Sequence, residues 1–203
     1  MGREIPRRQI TTKKQLPKEI IMDAIENHLK IYEDRLCKDL IRQCTSYNIL
    51  ENKLLESEDI DNYWKRIAPE YLADAVLQVR DYPLVSVAWA AYLGMGVAHL
   101  WDTKWNEAQN MPYTDFYGDE GFDNMDDHIM SQVLGVDIES LHATTLAKIV
   151  QNLARKAVSA IYHENVEPQT KMAYLLFAST SHVMFKIGAA IELYRLGYKF
   201  EKL

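Results

Sequence analysis

Residues 84–101 read LVSVAWAAYLGMGVAHLW, eighteen consecutive positions without a charged side chain. As a helix this run spans roughly 27 Å, just long enough for the hydrocarbon core of a membrane. A water-soluble chain can hold such a segment only by surrounding it with other helices. Ser86 and His99 break its apolarity, and Ala88, Ala90, Ala91, Gly94, Gly96 and Ala98 leave room for neighbours to approach closely. The rest of the chain reads as amphipathic partners. We therefore expect the buried centre of a bundle, and no membrane span.

A second stretch has the same character. Within residues 170–197, Leu175, Leu176, Phe177, Val183, Met184, Phe185, Ile187, Ala189, Ala190 and Ile191 leave almost no polar face, with His182 inside it and Gly197 as its stop. Around this pair the spacing predicts outer helices. In 17–46, Ile21, Ile25, Leu29, Tyr32, Leu36, Leu40 and Cys44 recur every three or four residues, with Pro17 suited to the first turn. Pro69 splits the next region into a short helix to Ile67 and a second over 68–80, with Leu72, Val76 and Val79 inward. A further helix over 138–165 turns Leu146, Ile149, Val150, Leu153, Ala157 and Ile161 to one side. Gly and Pro are sparse, at 8 and 6 residues, which favours long helices over a turn-rich β architecture. The expected fold class is all-α: one multi-helix bundle of five to seven helices with two buried central helices, packed mainly antiparallel. Residues 17–203 form that single domain, and 1–16 a basic N-terminal tail.

The net charge of −6 is unevenly spread. Residues 1–18 carry Arg3, Arg7, Arg8, Lys13, Lys14 and Lys18 against Glu4, a local +5, which leaves −11 on the remainder. An acidic body repels phosphate backbones, so nucleic acid is not an expected partner. Cys37 and Cys44 lie two helical turns apart, roughly 10 Å, beyond disulfide reach. They read as small buried hydrophobes in a reducing compartment, and a cytoplasmic location is expected.

Chemistry is expected at the seam that follows the apolar run. His99, Asp102, Thr103 and Asn106 fall in one arc about 100° wide, continued backwards by Leu84, Ala88, Tyr92 and Met95. Either the helix leaves the core near Leu100, or its polar end lines a cavity. The loop over 109–121 is long for a compact domain and carries Tyr113, Phe116 and Tyr117. Those rings either fold back over the core or form a contact surface for a ligand or partner. A helix over 123–134 follows, ended by Gly135, with Asp123 and Asp126 spaced like a capping box and Asp127 at the edge of its apolar face.

The sequence holds no glycine-rich phosphate loop, no Cys-x-x-Cys, no His-Glu-x-x-His and no nucleophile elbow. Metal-capable side chains remain: His99 with Asp102, then Asp127, His142 and Glu164, with His128 and His182 as further imidazoles. Imidazole with carboxylate suits a divalent metal, although the sequence requires no cofactor. Two functions are therefore expected. One is a binding or interaction module using the aromatic 109–121 loop, with a protein partner or a second copy of the chain. The other is a metal-dependent hydrolase or small-ligand-binding protein centred on His99 and Asp102.

Overall fold

The computed structural model describes residues 18–119 and 121–199, so the basic tail over 1–16 and the proline at position 17 lie outside the described residues. Six helices and no strand occur among them, which establishes the all-α bundle. In chain order they are α1 (Lys18–Ser46), α2 (Glu58–Gln78), α3 (Pro83–Ala108), α4, α5 (Leu141–His163) and α6 (Lys171–Arg195). The fourth starts as an α-turn over Met125–His128 and widens to a π-turn over Ile129–Val133.

The two apolar stretches are the centre, as their composition demands. Every residue of α3 from Trp89 to Ala98 is buried, and α6 is buried almost continuously from Leu176 to Leu193. The pair is held by backbone-to-backbone approach. A Cβ placed on Gly188 would sit 1.9 Å from the Ala91 carbonyl oxygen, and one on Gly94 would sit 2.0 Å from the Phe185 carbonyl oxygen. Only glycine permits that separation, and the close approach brings main-chain and small side-chain atoms into dispersion contact along the seam.

The mainly antiparallel packing expected around the central pair does not extend to the pair itself. Ala91 meets Gly188, His99 meets Glu192 and Trp101 meets Tyr198, so both helices run the same way. Antiparallel packing holds for α1 on α5, where Arg35 pairs with Glu164 and Tyr47 with Asn152. It also holds for α2 on α3, where Asp59 meets Trp101 and Tyr71 meets Ser86. Antiparallel neighbours follow from short loops. No such loop joins α3 to α6, because α4 and α5 lie between them.

Helix α2 also departs from expectation: it is continuous through Pro69. Proline removes one N–H and so leaves the Lys65 carbonyl without its partner. Lys65 and Pro69 are both exposed, and water can take the missing bond. The opposite face buries Tyr63, Trp64, Ile67, Tyr71, Leu72 and Ala75, which holds the helix together through the defect. Val76 faces outward and Val79 is half-buried, so the inward stripe is Tyr71, Leu72 and Ala75 instead.

Helix ends follow local chemistry. Ser140 accepts from the Ala143 N–H at 3.1 Å and Thr170 from the Ala173 N–H at 3.2 Å, starting α5 and α6. Gly197, with φ 96°, stops α6: the Tyr198 N–H reaches the Leu193 carbonyl and the Gly197 N–H that of Tyr194. The capping box expected at Asp123 is not formed, since neither Gly121 nor Asn124 caps through a side chain and Asp123 is exposed.

Tyrosines fill much of the core, and this sets an alkaline limit on stability. Burial pushes the phenols of Tyr32 and Tyr63 up to about 12, and those of Tyr71, Tyr92, Tyr113 and Tyr117 also rise. Below pH 10, near the value in the unfolded chain, both states keep the proton and the stabilisation is complete. As pH climbs from 10 towards 12 the unfolded chain ionises first. Stability then falls by about 1.4 kcal/mol per pH unit for each such tyrosine. We expect cooperative alkaline unfolding in which the tyrosinate absorbance of the buried phenols, beyond that of exposed residues such as Tyr82 and Tyr162, coincides with loss of helical circular dichroism. Ionisation of all twelve tyrosines while the helices persist would contradict the burial.

Candidate functional site

A groove of about 460 Å³ lies between the first half of α3, the start of α4 and the first half of α5. Its position follows from the all-round apolarity of α3. One side of that helix is consumed by α6 at Gly94. The stripe that includes Leu84, Ala88 and Tyr92 is left to face elsewhere, and these residues line the groove. Met130 and Ala143 add further apolar lining, and Lys148 and Gln151 bring polar side chains from α5. Volumes of this order are typical of small-molecule sites.

Further polar groups at the groove come from α3 and α4. Asp126 and Asp127 both line it, Asp126 half-buried and Asp127 exposed. Neither forms an ion pair with a described residue. Burial, and then the neighbouring Asp127 charge, hold the Asp126 carboxyl above the usual carboxylate range. The Trp89 indole N–H faces this carboxyl and favours its ionised form, yet it completes no hydrogen bond. Tyr92 is 5% exposed. Burial raises its phenol first, and the fields of Asp126 and Asp127 add to that. Its hydroxyl makes no hydrogen bond to a described residue. The groove thus collects two carboxylates without an ion-pair partner among the described residues, the Tyr92 hydroxyl, and one buried donor without a partner, the Trp89 indole N–H.

The aromatic loop sits behind this groove. Tyr113 and Phe116 are each 1% exposed and Tyr117 is half-buried, so these rings belong to the core and not to an open contact surface. The Tyr113 and Tyr117 hydroxyls both donate to the Asp74 carboxylate of α2, which ties the loop down. Their rings meet edge to face at 5.2 Å. Tyr117 then meets Phe122 at 5.4 Å, and Phe122 meets Trp89 at 4.6 Å. Phe116 fills the space beside Gly96 of α3. Rings from the loop therefore brace the Trp89 wall.

The metal-capable set expected from the sequence does not converge, and no group of three or more His, Cys, Asp or Glu side chains among the described residues is placed to hold a metal. His99 Nδ1 lies 2.8 Å from Glu192 Oε1, and that carboxylate is 1% exposed. Arg195 grips Glu192 with two N–H groups, both at 2.6 Å. Asp102 is exposed and accepts from the Tyr198 hydroxyl at 2.7 Å. His142 is exposed, and Glu164 pairs with His28 and Arg35. His182 stacks on Trp64 at 5.8 Å, and burial lowers its affinity for a proton. Only Asp127 of the expected set reaches the groove. The polar end of α3 simply leaves the core after Leu100, with Asp102, Thr103 and Lys104 exposed.

Three groove residues were not singled out in the sequence as site residues: Trp89, Tyr92 and Asp126. Tyr92 lies on the apolar continuation of the His99 arc, and the spacing of Asp126 after Asp123 fits a cap. For Tyr92 the signal is an apolar stripe of α3 with nothing assigned to cover it.

Fold and groove together define an all-α bundle with an amphiphilic cleft bordering its central helix. Comparison with protein-family models, curated proteins and solved structures finds no match for this chain.

Proposed function

We propose that this protein is a binding module that holds a small, largely apolar ligand in the groove between α3, α4 and α5. The observation that carries the reading is the groove itself. Its volume of about 460 Å³ suits such a ligand, its lining is mainly apolar, and its two carboxylates have no ion-pair partner among the described residues. The 109–121 loop serves by bracing Trp89 from behind. A reducing, cytoplasmic setting suits the two free cysteines.

The test uses a neutral probe, octan-1-ol, followed through the indole N–H signals of the isotopically labelled full chain. Saturable displacement of the Trp89 signal, identified with Trp89→Phe, is expected. Ala147→Phe puts a ring into the groove and should remove the effect while leaving the unfolding free energy within about 0.5 kcal/mol of the parent, because Ala147 is only half-buried. Unchanged octanol binding by Ala147→Phe would contradict the reading.

A second reading is favoured by one observation. Val85, Ile138 and Leu141 are 39, 48 and 82% exposed, and Val85 and Ile138 lie on the groove lining. A protein partner or second copy covering this rim would bury them. A mass that rises with concentration in light scattering, and falls back in Leu141→Lys, would support it. A constant monomer mass would count against self-association.

A further inference from the structure

Building on the groove reading, we propose that the ligand is a small organic cation: a primary ammonium group on an apolar chain or ring. The ammonium would sit against the carboxylates of Asp126 and Asp127 beside the Tyr92 hydroxyl. The apolar part would lie along Leu84, Ala88 and Met130.

Three observations converge on this class. First, the two carboxylates line an otherwise mainly apolar cleft, and neither has a basic partner among the described residues. Two adjacent anions with part of their hydration removed repel one another, and a cation placed between them relieves that repulsion. Second, the Tyr92 side chain is 95% removed from solvent, lines the cleft and makes no hydrogen bond to a described residue. Tyr92, Asp126 and Asp127 line the same cleft, and an ammonium brings three N–H donors to such a set of acceptors. Third, the indole of Trp89 and the phenol of Tyr92 offer aromatic surface beside the anions, and cations are attracted to such faces. The exposed Lys148 on the far wall disfavours a second positive charge, which points to a monocation. The unfilled Trp89 N–H has a role too: drawn towards the ammonium, Asp126 can turn an oxygen onto it.

The experiment titrates the full chain with three probes of equal length, octylammonium, octan-1-ol and octanoate, reading the Trp89 indole N–H. Octylammonium should bind about tenfold more tightly than octan-1-ol, the effect of one modest charge-assisted contact. Octanoate should bind more weakly than either. In D126N/D127N the preference for octylammonium over octan-1-ol should vanish. Removing these charges relieves repulsion, so the variant should remain folded, and its helical circular dichroism verifies that. Tyr92→Phe should narrow the preference for octylammonium over octan-1-ol. Equal affinities for octylammonium and octan-1-ol, or octylammonium binding unaltered in D126N/D127N, would overturn the cation assignment while leaving an apolar groove. Silence from all three probes would overturn the groove reading with it.

Discussion

Gly188→Ala is expected to lower stability by about 3 kcal/mol or more, although in an unstrained helix the same change stabilises by up to about 1 kcal/mol. The reversal of sign comes from where the methyl group would go. It would lie 1.9 Å from the Ala91 carbonyl oxygen, a main-chain atom of a helix fixed on every side. Relief requires α3 and α6 to separate, and that loosens the seam along which both are buried. Gly94→Ala should behave alike, since its methyl would meet the Phe185 carbonyl oxygen at 2.0 Å. Gly96→Ala supplies the contrast. Its methyl would meet the Phe116 ring at 2.8 Å, and a side chain can yield where a backbone cannot, so a loss of about 1 kcal/mol is expected. Urea denaturation with an unchanged slope gives the three values. A stabilising Gly188→Ala would mean that the two backbones do not touch.

Arg195→Leu is expected to cost about 2–3 kcal/mol. Glu192 is 1% exposed, and its carboxylate is satisfied by two N–H groups of Arg195 and by His99. Removing the arginine strands a buried charge, which costs more than the pair contributes when intact. The figure lies below that for a fully buried pair because the Arg195 side chain is 34% exposed and partly screened. Adding Glu192→Gln to Arg195→Leu should recover part of the loss, because a neutral amide needs no counter-charge. A cost below about 0.5 kcal/mol for Arg195→Leu would place this cluster among ordinary surface pairs.

The bundle was legible because apolarity is a one-dimensional signal. Eighteen uncharged residues at 84–101 can only be interior in a water-soluble chain, and the small residues among them already pointed to a close crossing. What the sequence could not provide was the partner of each face. Parallel α3 and α6, and the meeting of Gly94 with Phe185, depend on how α4 and α5 route the chain between them. Pro69 was misleading because a proline on an exposed face costs one hydrogen bond that water replaces, while six buried residues on the other face hold the helix together. Among site residues, His99 and Asp102 share an arc of α3, but their partners, Glu192 and Tyr198, lie almost a hundred positions away. Asp126 read as a cap because spacing alone does not say whether a carboxylate turns to its own backbone or to a cleft. The rings of the 109–121 loop were read two ways, and Asp74, which fixes Tyr113 and Tyr117 against the core, carries no local signature.

The whole account rests on α3 and α6 being one another's environment in water. Hydrogen exchange in detergent-free buffer, resolved by residue, tests this most directly. Amides of residues 90–98 and 184–192 should exchange slowest in the chain and with a common free energy equal to that of global unfolding. Rapid exchange of either segment in buffer, with protection appearing only when detergent micelles are added, would contradict it.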